Sequence, residues 1–147
     1  MIDRDWIVRH IPHAGAMCLL DSVASWDEQH ITCRSTCHRQ ADHPLAESGR
    51  LGVVAGIELA AQAMAVHSAL LASDTAASAA LGYLTSIREV RWISPSLNGT
   101  VETLLVRADR ISGTASTALY TFALVADGQT LIDGRLSVVL NAAALGG

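Results

Sequence analysis

The chain has 147 residues, half of them hydrophobic and 16% charged, which is the length of one domain and enough to bury roughly 70% of its unfolded surface. That composition excludes a disordered chain, because the apolar area it can bury offsets chain entropy. A net charge of -4, a pI near 5.8 and the lack of any Lys/Arg run exclude a nucleic-acid backbone as the main partner.

The first segment, Met1 to His10, carries Asp3, Arg4, Asp5 and Arg9 and no apolar run, so no secretory leader is expected and the cytoplasm is the expected location. Asp3 or Asp5 is expected to cap a short helix through Trp6, Ile7 and Val8 to about His10. Ile11-Pro12 ends it, since the residue before a proline avoids the helical region. The apolar run Met17 to Val23 predicts a buried strand, and the polar Ser25 to Gln29 a turn. Ile31, Cys33, Ser35 and Cys37 then alternate with Thr32, Arg34 and Thr36, the period-2 pattern of a second strand. On one strand, Cys33 and Cys37 would lie about 13 Å apart, too far to bridge. With three cysteines and no Cys-x-x-Cys pair, buried free thiols are expected, and no metal site.

Arg39 to Gly52 is irregular. The segment Val53 to Leu71 that follows reads VVAGIELAAQAMAVHSALL, 19 residues rich in helix formers and apolar nearly all round. As a helix it is about 28 Å long, enough to cross a bilayer. Glu58 near its middle argues against a membrane span, because an ionisable group there costs about 3 kcal/mol. A helix enclosed by protein is the expectation, and no membrane partner. Downstream, Leu81 to Trp92, Val101 to Ile111, Thr117 to Val125 and Leu131 to Leu140 read as antiparallel strands. Asp127-Gly128 is the hairpin turn between the last two.

A sheet with one apolar face and a helix apolar on all sides satisfy each other if the sheet curls around the helix. That is the hotdog fold, α+β, with about six strands, and a single hotdog domain over residues 1–147 is expected. One sheet cannot cover so apolar a helix, so a homodimer or a heterodimer with a related hotdog protein is expected as well.

Within the helix, Glu58 and Gln62 are four residues apart and share a face. Desolvation raises a carboxyl's pKa, the property a general acid needs. His67 is half a turn out of phase with Glu58 and reads as a partly exposed or satisfied core histidine. His10, His30 and His38 read as surface or strand-edge residues. Two loop histidines are candidate bases: His13, between the first helix and the first strand, and His43 in Asp42-His43-Pro44, ahead of the long helix.

These residues resemble a known family. Ile-Pro-His-Ala-Gly-Ala-Met-Cys-Leu-Leu-Asp, from Ile11 to Asp21, is similar to the opening Leu-Pro-His-Arg-x-Pro-Phe-Leu-Leu-x-Asp of the β-hydroxyacyl-carrier-protein dehydratases of the FabZ/FabA type. Glu58-Leu-Ala-Ala-Gln62 resembles that family's Glu-Ala-x-Ala-Gln, and Arg91-Trp-Ile-Ser-Pro95 followed by Gly99 resembles its Arg-Phe-x-x-Pro-x-x-x-Gly. The likeness runs in order from about Val8 to Leu140. Lacking a proline at Ala16, and with the Asp-His-Pro loop, the chain looks closest to the dehydratase-like proteins of aryl-polyene clusters.

The resemblance implies a hydro-lyase that converts 3-hydroxyacyl thioesters, on acyl carrier protein or coenzyme A, to trans-2-enoyl thioesters without a cofactor. It implies His43 as base and Glu58 as acid, Gln62 and His13 in support, and the backbone N–H groups of Gly52 and Val53 polarising the thioester carbonyl. The family's loop Gly-His-Phe-Pro-Gly-x-Pro-x-x-Pro-Gly is replaced by a stretch about five residues shorter, and the family histidine aligns with Pro44, one residue beyond His43. A catalytically weak subunit serving another hotdog dehydratase, and a hotdog thioesterase using Glu58, are the alternative functions.

Overall fold

The computed structural model describes residues 2–11, 18–39, 52–72, 83–93, 97, 102–114 and 117–139. The expected order is present: β1 (Ile2–Asp3), α1 (Arg4–His10), β2 (Ser22–Trp26), β3 (His30–Ser35), a 3-10 turn (Cys37–Arg39), α2 (Val53–Ala72), β4 (Tyr83–Trp92), β5 (Leu104–Gly113), β6 (Thr117–Ala126) and β7 (Gln129–Val139). Asp3 is the cap of α1; its carboxylate accepts the Trp6 backbone N–H at 3.1 Å.

Among the described residues, seven strands join one antiparallel sheet in the order β1-β2-β3-β5-β6-β7-β4. The count exceeds six because Ile2 and Asp3 pair with Val23 and Ser22, a two-residue strand too short to show a period. After α2 the chain does not pair beside β3. It crosses to the far edge as β4, and β5, β6 and β7 fill the space back towards it. α2 lies across the inner face of β3, β5, β6 and β7. The helix window Val54–Leu71 is long and apolar enough to cross a membrane, yet 61% of it is buried inside the fold.

Alternation along the strands sets what faces α2. Ile31, Cys33 and Ser35 of β3 and Leu104, Val106 and Ala108 of β5 are fully buried, while Arg34 and Arg107 point outward. β6 and β7 meet through the Asp127-Gly128 turn, where both residues have positive φ, 55° and 75°, as the right-handed strand twist demands. Gly56 marks the tightest approach of α2 to the sheet: a Cβ there would overlap Ile132 Cδ1 of β7.

Three expectations need correction. The apolar run Met17 to Val23 is not one strand; Cys18, Leu19 and Leu20 are buried without a ladder, and β2 starts at Ser22 and runs through Trp26. β3 stops at Ser35, so Cys37 belongs to the 3-10 turn. His38 is not a surface residue but 2% exposed, because that turn folds it inward. The three cysteines are buried free thiols, and burial pushes Cys33 up to about 12.

Candidate active site

The sheet leaves one face of α2 uncovered. Val54 is 75% exposed, and Ile57, Glu58, Ala61, Ala65 and Ser68 are half-buried at helical spacings of three and four, while most residues between them are buried. Glu58 is the ionisable group on that stripe. Its second turn of helix lies about 8 Å along the axis from Val53, where the first N–H groups of α2 have no acceptor inside the helix. Gly52 precedes the helix directly and accepts the Gly56 N–H at 3.3 Å.

Gln62 fixes the carboxyl. It is fully buried; its Nε2 donates to Glu58 Oε1 at 3.2 Å, and its Oε1 accepts the Leu19 backbone N–H at 2.9 Å. Because Leu19 N–H can only donate, the amide oxygen must face Leu19, which aims the NH2 at Glu58. The chain of bonds continues: Ser35 Oγ donates to the Leu19 carbonyl at 2.6 Å and accepts the Cys37 N–H at 3.2 Å. Asp21 accepts the Thr36 N–H and hydroxyl at 2.9 and 2.7 Å. Glu58 is thereby tied, through buried polar groups, to the 3-10 turn that leads into the segment bearing His43.

Both candidate bases, His43 and His13, lie outside the described residues, so no imidazole–carboxylate distance follows. Three of the remaining histidines, His10, His30 and His67, have other work. His10 bonds the Trp6 carbonyl at 2.7 Å, and His30 bonds Asp27 at 2.9 Å. His67 is fully buried between Tyr120 Oη at 2.6 Å and the Asp27 carbonyl at 2.7 Å. A carbonyl only accepts, so Nε2 of His67 carries a proton; burial disfavours the charged ring, and in the neutral ring Nδ1 accepts from the Tyr120 hydroxyl. The spacing placed His67 off the Glu58 face as a partly exposed or satisfied core histidine; it is the satisfied core histidine.

Burial, with the positive field of Arg110, lowers the His67 pKa below its ordinary value. Below pH about 6.5 the unfolded chain therefore binds a proton that the folded chain refuses. Stability rises with pH through that window, and is lost as pH falls from about 6.5 to the lowered native value. Asp27, lowered by its backbone hydrogen bonds, titrates below this range, and Tyr120, raised by burial, titrates above it. The melting temperature is expected to drop between pH 7 and 5 in the wild type and to drop less in His67→Gln; equal slopes would remove His67 as the cause.

Between the ends of β4 and β7, an open hollow of about 320 Å³ is lined by Trp92, Ile93, Leu131 and Ile132 and flanked by Arg91 and Asp133. Sequence reasoning did not single out Trp92, Leu19 or Ser35. Leu19 and Gln62 are 43 positions apart, and nothing in either segment announces the other.

Comparison with known proteins agrees with this architecture. The family described as ApeP-like, ApeP dehydratase, matches residues 6–145. The dehydratase heterocomplex ApeI:P from Xenorhabdus doucetiae superposes with a TM-score of 0.80 at 26% identity, over 90% of this chain and 89% of that one. A mutant of thioesterase PA1618 from Pseudomonas aeruginosa (TM-score 0.61, 17% identity, 81% and 79% coverage) shares the fold alone. So does zebrafish thioesterase superfamily member 2 (TM-score 0.62, 14% identity, 95% and 99% coverage). No curated protein matches the chain significantly.

Proposed function

Because the chain belongs to the ApeP-like dehydratase family, we propose that it is a catalytically competent hydro-lyase that converts a 3-hydroxyacyl thioester to the trans-2-enoyl thioester. The observation that carries this reading is Glu58: an acid on the uncovered stripe of α2, held in place by a buried amide that is itself pinned by Leu19. In this reading the Cα–H bond breaks as His43, with His13 in reserve, takes the proton. The electron pair forms the Cα=Cβ bond, and the Cβ–O bond breaks as Glu58 protonates the hydroxyl, releasing water. The backbone N–H groups of Gly52 and Val53 polarise the thioester carbonyl, aided by the helix dipole.

The acyl group is carried on an acyl carrier protein or coenzyme A, and the uncovered stripe of α2 is closed by a related hotdog chain. The complex in which the similar solved protein occurs supports a heteromer over a homodimer. A weaker reading, a subunit that shapes a partner's slot without its own turnover, is supported by the shortened loop around His43.

The test is a 3-hydroxyacyl-coenzyme A thioester given to the purified chain, alone and with a co-purifying hotdog chain, with enoyl formation followed by ultraviolet absorbance and thiol release followed in parallel. Enoyl formation by the complex, lost when Glu58→Gln replaces the wild-type chain, is expected. Enoyl formation only in the complex, unaffected by Glu58→Gln, would select the weak-subunit reading, and thiol release without enoyl product would select thioester hydrolysis.

A further inference from the structure

Ile31, Cys33 and Ser35 share the inner face of β3, the side that packs on α2, and all three are fully buried. The first two fill apolar space. Ser35 puts a hydroxyl into the same row, and a buried hydroxyl costs free energy unless it is hydrogen-bonded. Its proton and a lone pair are both used: Oγ donates to the Leu19 carbonyl at 2.6 Å and accepts the Cys37 N–H at 3.2 Å.

Leu19 needs such a partner. Cys18, Leu19 and Leu20 stand outside every ladder of the described residues, so side chains from two other elements hold the Leu19 main chain. Ser35 of β3 binds its carbonyl, and Gln62 of α2 accepts its N–H at 2.9 Å. Those bonds fall on the two peptide units flanking the Leu19 Cα, so together they fix the two soft torsions between them. Without Ser35 one of these units is released, and the Leu19 N–H loses its fixed aim at Gln62. Gln62 in turn donates to Glu58 Oε1 at 3.2 Å. A carbonyl-type oxygen accepts better than a hydroxyl oxygen, so in the acid form this donor favours the proton on Oε2. The relay from Ser35 through Leu19 and Gln62 thus selects the oxygen from which Glu58 gives its proton.

We propose that Ser35 is a positioning residue for the acid, acting on the reaction through Leu19 and Gln62 without touching substrate. This rests on the reading of Glu58 above. Enoyl formation is measured in the complex with the co-purifying hotdog chain for wild type, Ser35→Ala, Glu58→Gln and the double variant. Ser35→Ala is expected to lower kcat about tenfold with KM nearly unchanged, short of the roughly 10²-fold that a misplacement of about 1 Å can cost. In the Glu58→Gln background the same change is expected to alter turnover less than about twofold, because the proton it positions is already gone. A merely structural defect lowers both backgrounds alike. Equal losses in both, or wild-type kcat in Ser35→Ala, would overturn the proposal.

A second readout needs no turnover. The side-chain NH2 resonances of Gln62, identified by their loss in Gln62→Leu, are expected to exchange with water about tenfold faster in Ser35→Ala than in wild type. Unchanged exchange would break the relay at its first link and overturn the proposal. Ser35→Cys, close in volume and a weaker donor, takes the place of Ser35→Ala in both measurements if the alanine variant does not fold. Wild-type turnover in Glu58→Gln would remove the acid and this role with it, while the exchange rate still reports whether the relay exists, so the two failures are distinguishable.

Discussion

Glu58→Gln is expected to fold normally and to form enoyl thioester about 10²–10⁴-fold more slowly than wild type, the usual contribution of a positioned acid. Glutamine fills the same volume on a half-buried stripe, and its amide oxygen still accepts from Gln62 Nε2, so the bond at 3.2 Å survives. What disappears is the transferable proton. The melting temperature should therefore stay within a few degrees, as for substitutions that break no buried network. Initial rates of enoyl formation and a thermal melt, taken together, check the claim. A folded variant with wild-type turnover would take Glu58 out of the chemistry.

Gln62→Leu is expected to lose stability and turnover together. The leucine strands the buried Leu19 N–H without its acceptor and removes the donor to Glu58. An orphaned buried donor costs about 1–3 kcal/mol, which lowers the melting temperature by roughly 3–10 °C in a chain of this size. Gln62 acts on the reaction through Glu58, so kcat should fall while KM changes little. Gln62→Glu separates the two roles. A carboxyl can still accept the Leu19 N–H, but beside Glu58 the two acids can form their bond only by sharing a proton. Stability in that variant should fall as pH rises and the shared proton is lost, whereas wild type shows no such loss. A pH-flat melting profile in Gln62→Glu would argue against direct contact between positions 58 and 62.

Much of the molecule is written into local pattern. The run of alanines, leucines and methionine from Val53 forms α2 to within a residue of its expected end, because helix propensity and the nearly all-round apolar pattern agree there. Asp127-Gly128 forms its turn because both residues tolerate positive φ. The i,i+4 relation of Glu58 and Gln62 is helix geometry, and it becomes a hydrogen bond as soon as the helix forms.

The apolar stretch at Cys18–Leu20 shows where pattern stops. Hydrophobicity foretold burial, but whether a buried segment is laddered depends on what lies beside it. Here the partners are a glutamine side chain on α2 and a serine on β3 rather than a strand.

By itself, then, the sequence determined the period of each element, the helix that carries the acid and the side of that helix on which the acid stands, since these follow from neighbours within a few positions. Tertiary structure alone decided that Leu19 pins Gln62, that His38 turns inward, and that β4 ends up at the edge of the sheet. Each of those depends on segments brought together across tens of residues by burial of the whole sheet against α2, a balance of areas and hydrogen bonds that no local spacing encodes.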